Sequence, residues 1–103
     1  MPDAMINGFK HYWEDAGAGE PLVMIHGAAS SSKGFAAQIA ELSKTLRVIA
    51  VDLRGMGQSA RISSLNESGW VDDLAGLVDH LGLRDVNIFG SSLGARIALR
   101  YAI

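Results

Sequence analysis

The sequence predicts an α/β domain, a mostly parallel sheet with an antiparallel hairpin at its start and helices on both faces. Three observations carry that prediction. Short apolar runs (Leu22-Val23-Met24-Ile25, Val48-Ile49-Ala50-Val51 and Val86 to Phe89) alternate with stretches whose apolar residues recur every three or four positions. Such alternation points to parallel strands joined by crossover helices. Asn7-Gly8 stands between two extended runs, the two-residue signal of a hairpin. The last apolar run enters Gly90-Ser91-Ser92-Leu93-Gly94 and a helix-forming stretch follows, so a tight strand-to-helix turn completes the pattern.

The elements follow in order. Ala4-Met5-Ile6 and Phe9 to Trp13 form the two hairpin strands, and Ala16 to Pro21 is a turn. Leu22 to Ile25 is continuously apolar, as in a sheet covered on both faces. Gly27 to Ser32 is a loop of small residues. Phe35, Ile39, Leu42 and Leu46 then mark one face of a helix. Arg47 to Val51 is the next buried strand, and Asp52 to Ser64 is a polar loop with glycines. Trp70, Val71, Leu74, Leu77, Val78 and Leu81 form the apolar stripe of a helix from about Ser68 to Leu81, with Gly82 as its stop. Val86 to Phe89 is the third buried strand, and the final helix begins at Ser92. Trp13, Trp70 and Tyr101 are expected as packing aromatics.

Composition narrows the functional classes. A chain of 103 residues suits one domain with a modest core, 49% apolar and 19% charged. A net charge of −2 without a Lys/Arg cluster argues against a nucleic-acid partner. Without cysteine there are no disulfides, thiolate nucleophiles or zinc–cysteine sites. No apolar run approaches the roughly 18 residues of a membrane helix, and Met1-Pro2-Asp3-Ala4 has no signal-peptide character. The expectation is a cytoplasmic protein with no membrane partner, no cofactor and no metal.

The chemistry-bearing motif is Gly90-Ser91-Ser92-Leu93-Gly94. A serine at a sharp strand-to-helix turn stands proud of the sheet, in a conformation that costs about 1–3 kcal/mol. Strand and helix then pass so close that the positions two before and two after it have no space for a side chain. Gly90 and Gly94 meet that need. Upstream, Leu22 to Ile25 runs into His26-Gly27, and Asp52-Leu53-Arg54-Gly55-Met56-Gly57-Gln58-Ser59 follows the next strand. With these three motifs in this order, the chain resembles the N-terminal part of an α/β-hydrolase-fold enzyme over nearly all of its length. Ala28-Ala29 fits the soluble esterase, lactonase and C–C hydrolase branch rather than lipases with a His-Gly-Gly-Gly run.

The resemblance implies that Ser92 is the nucleophile and that the backbone N–H groups of Leu93 and Ala28 form the oxyanion hole. Physical chemistry agrees, because a helix opening at Ser92 directs free N–H groups and a positive dipole end at a developing oxyanion. Small residues at Ala28 and Ala29 keep the loop close to the reacting centre. Ser91 and Ala29 are expected to touch the substrate, a small ester-like molecule. A serine disfavours dehalogenase and epoxide-hydrolase chemistry, which use aspartate at this position.

In the family the acid and the histidine come later than the serine, in that order. Residues 1–103 are therefore expected to form a partial domain, comprising strands one to five and the first helices. His11 belongs to the hairpin and His80 to the end of a helix, while the resemblance makes His26 a structural or loop-orienting residue rather than a base. Serine without a base is a weak nucleophile, so the chain alone is expected to be nearly inactive. The alternative is a non-catalytic remnant that self-associates through the open, apolar edge of Val86 to Phe89.

Two rival motifs are weaker. Gly55-Met56-Gly57-Gln58-Ser59-Ala60 fits a dinucleotide fingerprint, but Arg61 to Asn66 intervenes before the next helix. Asp72-Asp73 and Asp79-His80 are expected on a solvated polar helix face rather than at a metal.

Overall fold

The computed structural model describes residues 3–27, 31–53, 67–91 and 93–102. Strands β1 (Asp3–Ile6) and β2 (Phe9–Ala16) form the expected hairpin. Its turn places Asn7 at φ 52° and Gly8 at φ 84°, the doubled positive φ that a type I′ turn demands. Then come β3 (Pro21–Ile25), a 3₁₀ turn (Ser32–Phe35), α1 (Ala36–Leu42), β4 (Arg47–Val51), α2 (Glu67–His80), β5 (Asn87–Gly90) and α3 (Leu93–Ala102). The five strands form one mixed sheet in the order β1-β2-β4-β3-β5. Strands β4, β3 and β5 run parallel, while the hairpin joins antiparallel through β2 and β4.

The period of two along β3 and β4 sorts the core into two layers. Val23, Ile25, Ile49 and Val51 point to one face, where Trp70, Leu74, Leu77 and Val78 of α2 and Ile97 of α3 cover them. Met24, Val48 and Ala50 point to the other face, where Phe35, Ile39, Leu42 and Leu46 pack. Each such aliphatic side chain contributes about 1.5–3 kcal/mol when fully buried. The apolar runs are continuous because both faces need them.

Local chemistry sets the element ends. Helix α2 closes in a Schellman motif: the Leu83 N–H donates to the Val78 carbonyl, and the Gly82 N–H to the Asp79 carbonyl. Gly82 supplies the left-handed residue at φ 64°. The predicted first helix is shorter than its stripe. Residues after Leu42 turn, and the Arg47 N–H already bonds the Glu20 carbonyl in the entry to β4. Leu46 therefore packs in the right layer from outside the helix. Arg47 also donates twice to the Asp15 carboxylate, at 3.1 and 2.7 Å, which raises the guanidinium's proton affinity further.

Two expectations need correction. The strand before the glycine turn is not buried: β5 is an edge strand, and its alternation leaves Asn87 and Phe89 exposed. Nor does α2 carry all of its acids to solvent. Asp72 and Asp79 are exposed, but Asp73 is buried, because it lies on the same helical face as Trp70, Leu74 and Leu77. Trp13 and Trp70 lie in the core as expected, with Tyr101 packed against it.

Candidate functional site

Parallel strands place their carboxyl ends on one edge, and three chain segments leave the sheet there. Ile25 pairs with Val51 on one side and Gly90 on the other, so His26-Gly27, Asp52-Leu53 and Ser91 emerge side by side. Open α/β sheets bind ligands at this edge.

The turn out of β5 is held by backbone. The Ser91 N–H donates to the Ile25 carbonyl at 3.1 Å, and the Gly94 N–H donates to the Ser91 carbonyl at 2.9 Å. A Cβ on Gly94 would overlap the Ile25 carbonyl and come within 2.8 Å of the His26 carbonyl oxygen. A Cβ on Gly90 would overlap the Gly94 carbonyl. The first turn of α3 thus rests on the ends of β3 and β5 at a distance only glycine permits. Leu93 opens α3 with its side chain packed against the core, and Ser91 is exposed. Ser92, Ala28 and Ala29 lie outside the described residues, as do Arg54 to Asn66, with most of the polar loop and the rival glycine motif.

His26 is buried, and its hydrogen bonds assign its tautomer. Nε2 accepts the Leu53 N–H at 3.0 Å, so the ring proton sits on Nδ1, which donates to the Gly27 carbonyl at 2.7 Å. With its lone pair already engaged, the imidazole orients the loop. His11 is also spoken for: its Nε2 lies 3.0 Å from Oδ2 of Asp73, and Asn7 Nδ2 donates to Oδ1 at 3.2 Å. His80 ends α2, with its ring edge-on to Trp13 at a centroid separation of 5.8 Å. Among the described residues, no three His, Asp or Glu side chains gather as metal ligands would.

Asp52 and Leu53 begin the motif that the sequence shows after β4, but the sequence gives them no role at this edge. Asp52 is fully buried, with Oδ1 accepting the Ser32 N–H at 2.6 Å and its own N–H bonded to the Tyr12 carbonyl. A sequence signal did exist: an ionisable residue directly after a four-residue apolar strand is rarely left without partners.

The comparisons with known proteins agree with this architecture. The profile of the alpha/beta hydrolase fold family matches residues 20–103. The soluble epoxide hydrolase of Corynebacterium sp. (strain C12) is 36% identical over 100 residues, 96% of this chain and 35% of that protein. The 2-hydroxymuconate semialdehyde hydrolase of Pseudomonas sp. (strain CF600) is 39% identical over 93% of this chain and 36% of that protein. Among solved structures, an esterase from Exiguobacterium antarcticum superposes with a TM-score of 0.91 at 33% identity, covering 96% of this chain and 38% of the esterase. The chain spans about a third of the length of the curated relatives it matches. With a parallel β3-β4-β5 core, a glycine-tight turn into α3 and a family profile over 84 consecutive positions, 20 to 103, this chain belongs to the α/β-hydrolase fold family.

Proposed function

We propose that residues 1–103 form the N-terminal, nucleophile-bearing part of a serine hydrolase of the carboxylic ester type, comprising strands one to five of the domain. The observation that carries the reading is the approach of Gly94 to the Ile25 carbonyl. It sets the start of α3 against the carboxyl ends of the parallel strands, with no side chain between. In this reading Ser92 Oγ attacks an ester carbonyl, forming the C–O bond as its proton passes to a base. The oxyanion accepts hydrogen bonds from the N–H groups of Leu93 and Ala28. Collapse of the tetrahedral species expels the alcohol, and water then releases the acid from the acyl-serine. Gly90 and Gly94 shape the turn, while Ser91 and Ala29 face the substrate.

The base is none of the three histidines of this chain. His11 is bound to Asp73, and His26 has its lone pair on the Leu53 N–H. His80 ends α2 against Trp13. The reading assigns base and acid to the part of the fold that the relatives carry beyond the matched third. Serine rather than aspartate at position 92 disfavours epoxide-opening chemistry, although an epoxide hydrolase is among the relatives of this chain. The test is labelling of the complete gene product with a fluorophosphonate. Adduct on Ser92, lost in Ser92→Ala, supports the reading, and label that survives Ser92→Ala overturns it.

A second reading has its own observation. Strand β5 is a sheet edge, with Phe89 47% and Leu99 64% exposed beside it. An apolar edge recruits further strands, so the chain is proposed to pair with a second copy there. Light scattering at about 100 μM, where mass action favours dimers, is expected to give twice the monomer mass. A clean monomer removes this reading and leaves the hydrolase reading untouched.

A further inference from the structure

Asp52 and Leu53, the two residues that follow β4, grip opposite ends of the segment that follows β3. At one end, the Leu53 N–H holds Nε2 of His26, whose Nδ1–H holds the Gly27 carbonyl. At the other, the Asp52 carboxylate holds the Ser32 N–H at 2.6 Å. The grip is itself anchored, since the Asp52 N–H is bonded to the Tyr12 carbonyl at 2.9 Å. His26, Ser32, Asp52 and Leu53 are all buried. A helix cap alone does not explain the carboxylate. Ser31 Oγ already accepts the Lys33 N–H at the start of the 3₁₀ turn, and burying an ionised group costs several kcal/mol unless its partners are well placed.

We propose that Asp52 is a positioning residue for the oxyanion site. It fixes the Ser32 end of the loop while the Leu53–His26 link fixes the Gly27 end, and the oxyanion donor proposed above lies in sequence between those two ends. This deepens the reading above and rests on it, because it takes Ala28 as the second oxyanion donor. The acceptor oxygen is what the role requires, so asparagine substitutes and alanine does not.

The test uses the whole 103-residue chain and two readouts. In amide exchange followed by NMR, the wild-type Ser32 N–H is expected downfield and slow, as suits a short bond to a carboxylate. Relative to the core amide of Leu77, Ser32 exchange is expected to rise at least about tenfold in Asp52→Ala and to stay near wild type in Asp52→Asn. An unshifted, fast Ser32 amide in the wild type overturns the proposal even if Asp52→Ala does not fold. Stoichiometric acetylation of Ser92 by p-nitrophenyl acetate, read by mass, is the second readout. Losing one oxyanion donor slows such reactions about 10²–10³-fold, so Asp52→Ala is expected to slow acetylation at least about tenfold and Asp52→Asn by less than about threefold. Equal rates in all three proteins overturn the positioning role. Absence of any Ser92-dependent acetylation is what a serine without its base allows, and the exchange data then decide alone whether Asp52 holds the loop.

Discussion

Nε2 of His11 donates to Oδ2 of Asp73 across 3.0 Å, joining two buried side chains 62 positions apart. The bond ties the hairpin to α2, and Asn7 adds a second contact from the turn to the same carboxylate. Removing the carboxylate takes this hydrogen bond from His11, and losing a buried hydrogen bond of this kind costs about 1–3 kcal/mol. Asp73→Ala is therefore expected to lower stability by that amount in urea unfolding. Asp79→Ala, on the exposed side of the same helix, is expected to change it by no more than about 0.5 kcal/mol. Equal effects would show that the pair stabilises nothing.

A second prediction concerns the glycines. Gly→Ala inside a helix ordinarily gains up to about 1 kcal/mol. At Gly94 the new methyl meets the Ile25 and His26 carbonyls, which are backbone and cannot step aside. Gly94→Ala is expected to cost at least about 1–3 kcal/mol, the usual range for overpacking. Gly76 in α2 is tight as well, since its Cβ would come within 2.6 Å of Cγ2 of buried Ile6, a stiff β-branched side chain. Denaturant midpoints are expected to place Gly94→Ala well below wild type, and a midpoint at or above wild type would show that the turn has room for a methyl.

How much of this was legible in the sequence follows from the range of each interaction. The parallel core, the hairpin and the ends of α2 were readable because periodicity, Asn7-Gly8 and Gly82 act within a few residues. The close approach at Gly90 and Gly94 was readable because the motif brings strand and helix together locally. The exposure of β5 was legible only in the alternative of an open edge at Val86 to Phe89, because an apolar run by itself looks the same at an edge and at a sheet centre. Asp73 was misread because adjacent acids suggest a wet face, although its spacing from Trp70 and Leu77 put it on the apolar one. The pairing of Asp52 with Ser32 joins residues 20 apart through a loop, and no short-range pattern announces it.

Catalysis by the chain as it stands is a third point of test. The 103-residue protein is expected to show no turnover of p-nitrophenyl acetate above that of Ser92→Ala, since serine without a base is a poor nucleophile. His26→Ala is expected to leave that background unchanged while costing about 1–3 kcal/mol of stability, because the buried Leu53 N–H loses its acceptor. Turnover that disappears in His80→Ala would assign the base to the one exposed histidine and contradict this account.

Alkaline titration supplies the last prediction. Tyr12 is buried in β2, and its hydroxyl donates to Glu14 Oε1 at 2.6 Å. Burial, then the Glu14 hydrogen bond and charge, then the Asp52 charge, push the phenol far above its ordinary value of 10.0. Unfolded Tyr12 ionises near that ordinary value while folded Tyr12 stays neutral. The stabilisation is therefore fully present below about pH 10 and drains away as pH rises toward the folded value, by at most about 1.4 kcal/mol per pH unit. Tyr12→Phe removes this dependence, whereas every other titrating group is shared by both proteins. Urea midpoints at about pH 8, 10 and 11 are expected to fall more steeply above pH 10 for the wild type than for Tyr12→Phe. Parallel curves would mean that the hydroxyl ionises as readily in the fold as out of it.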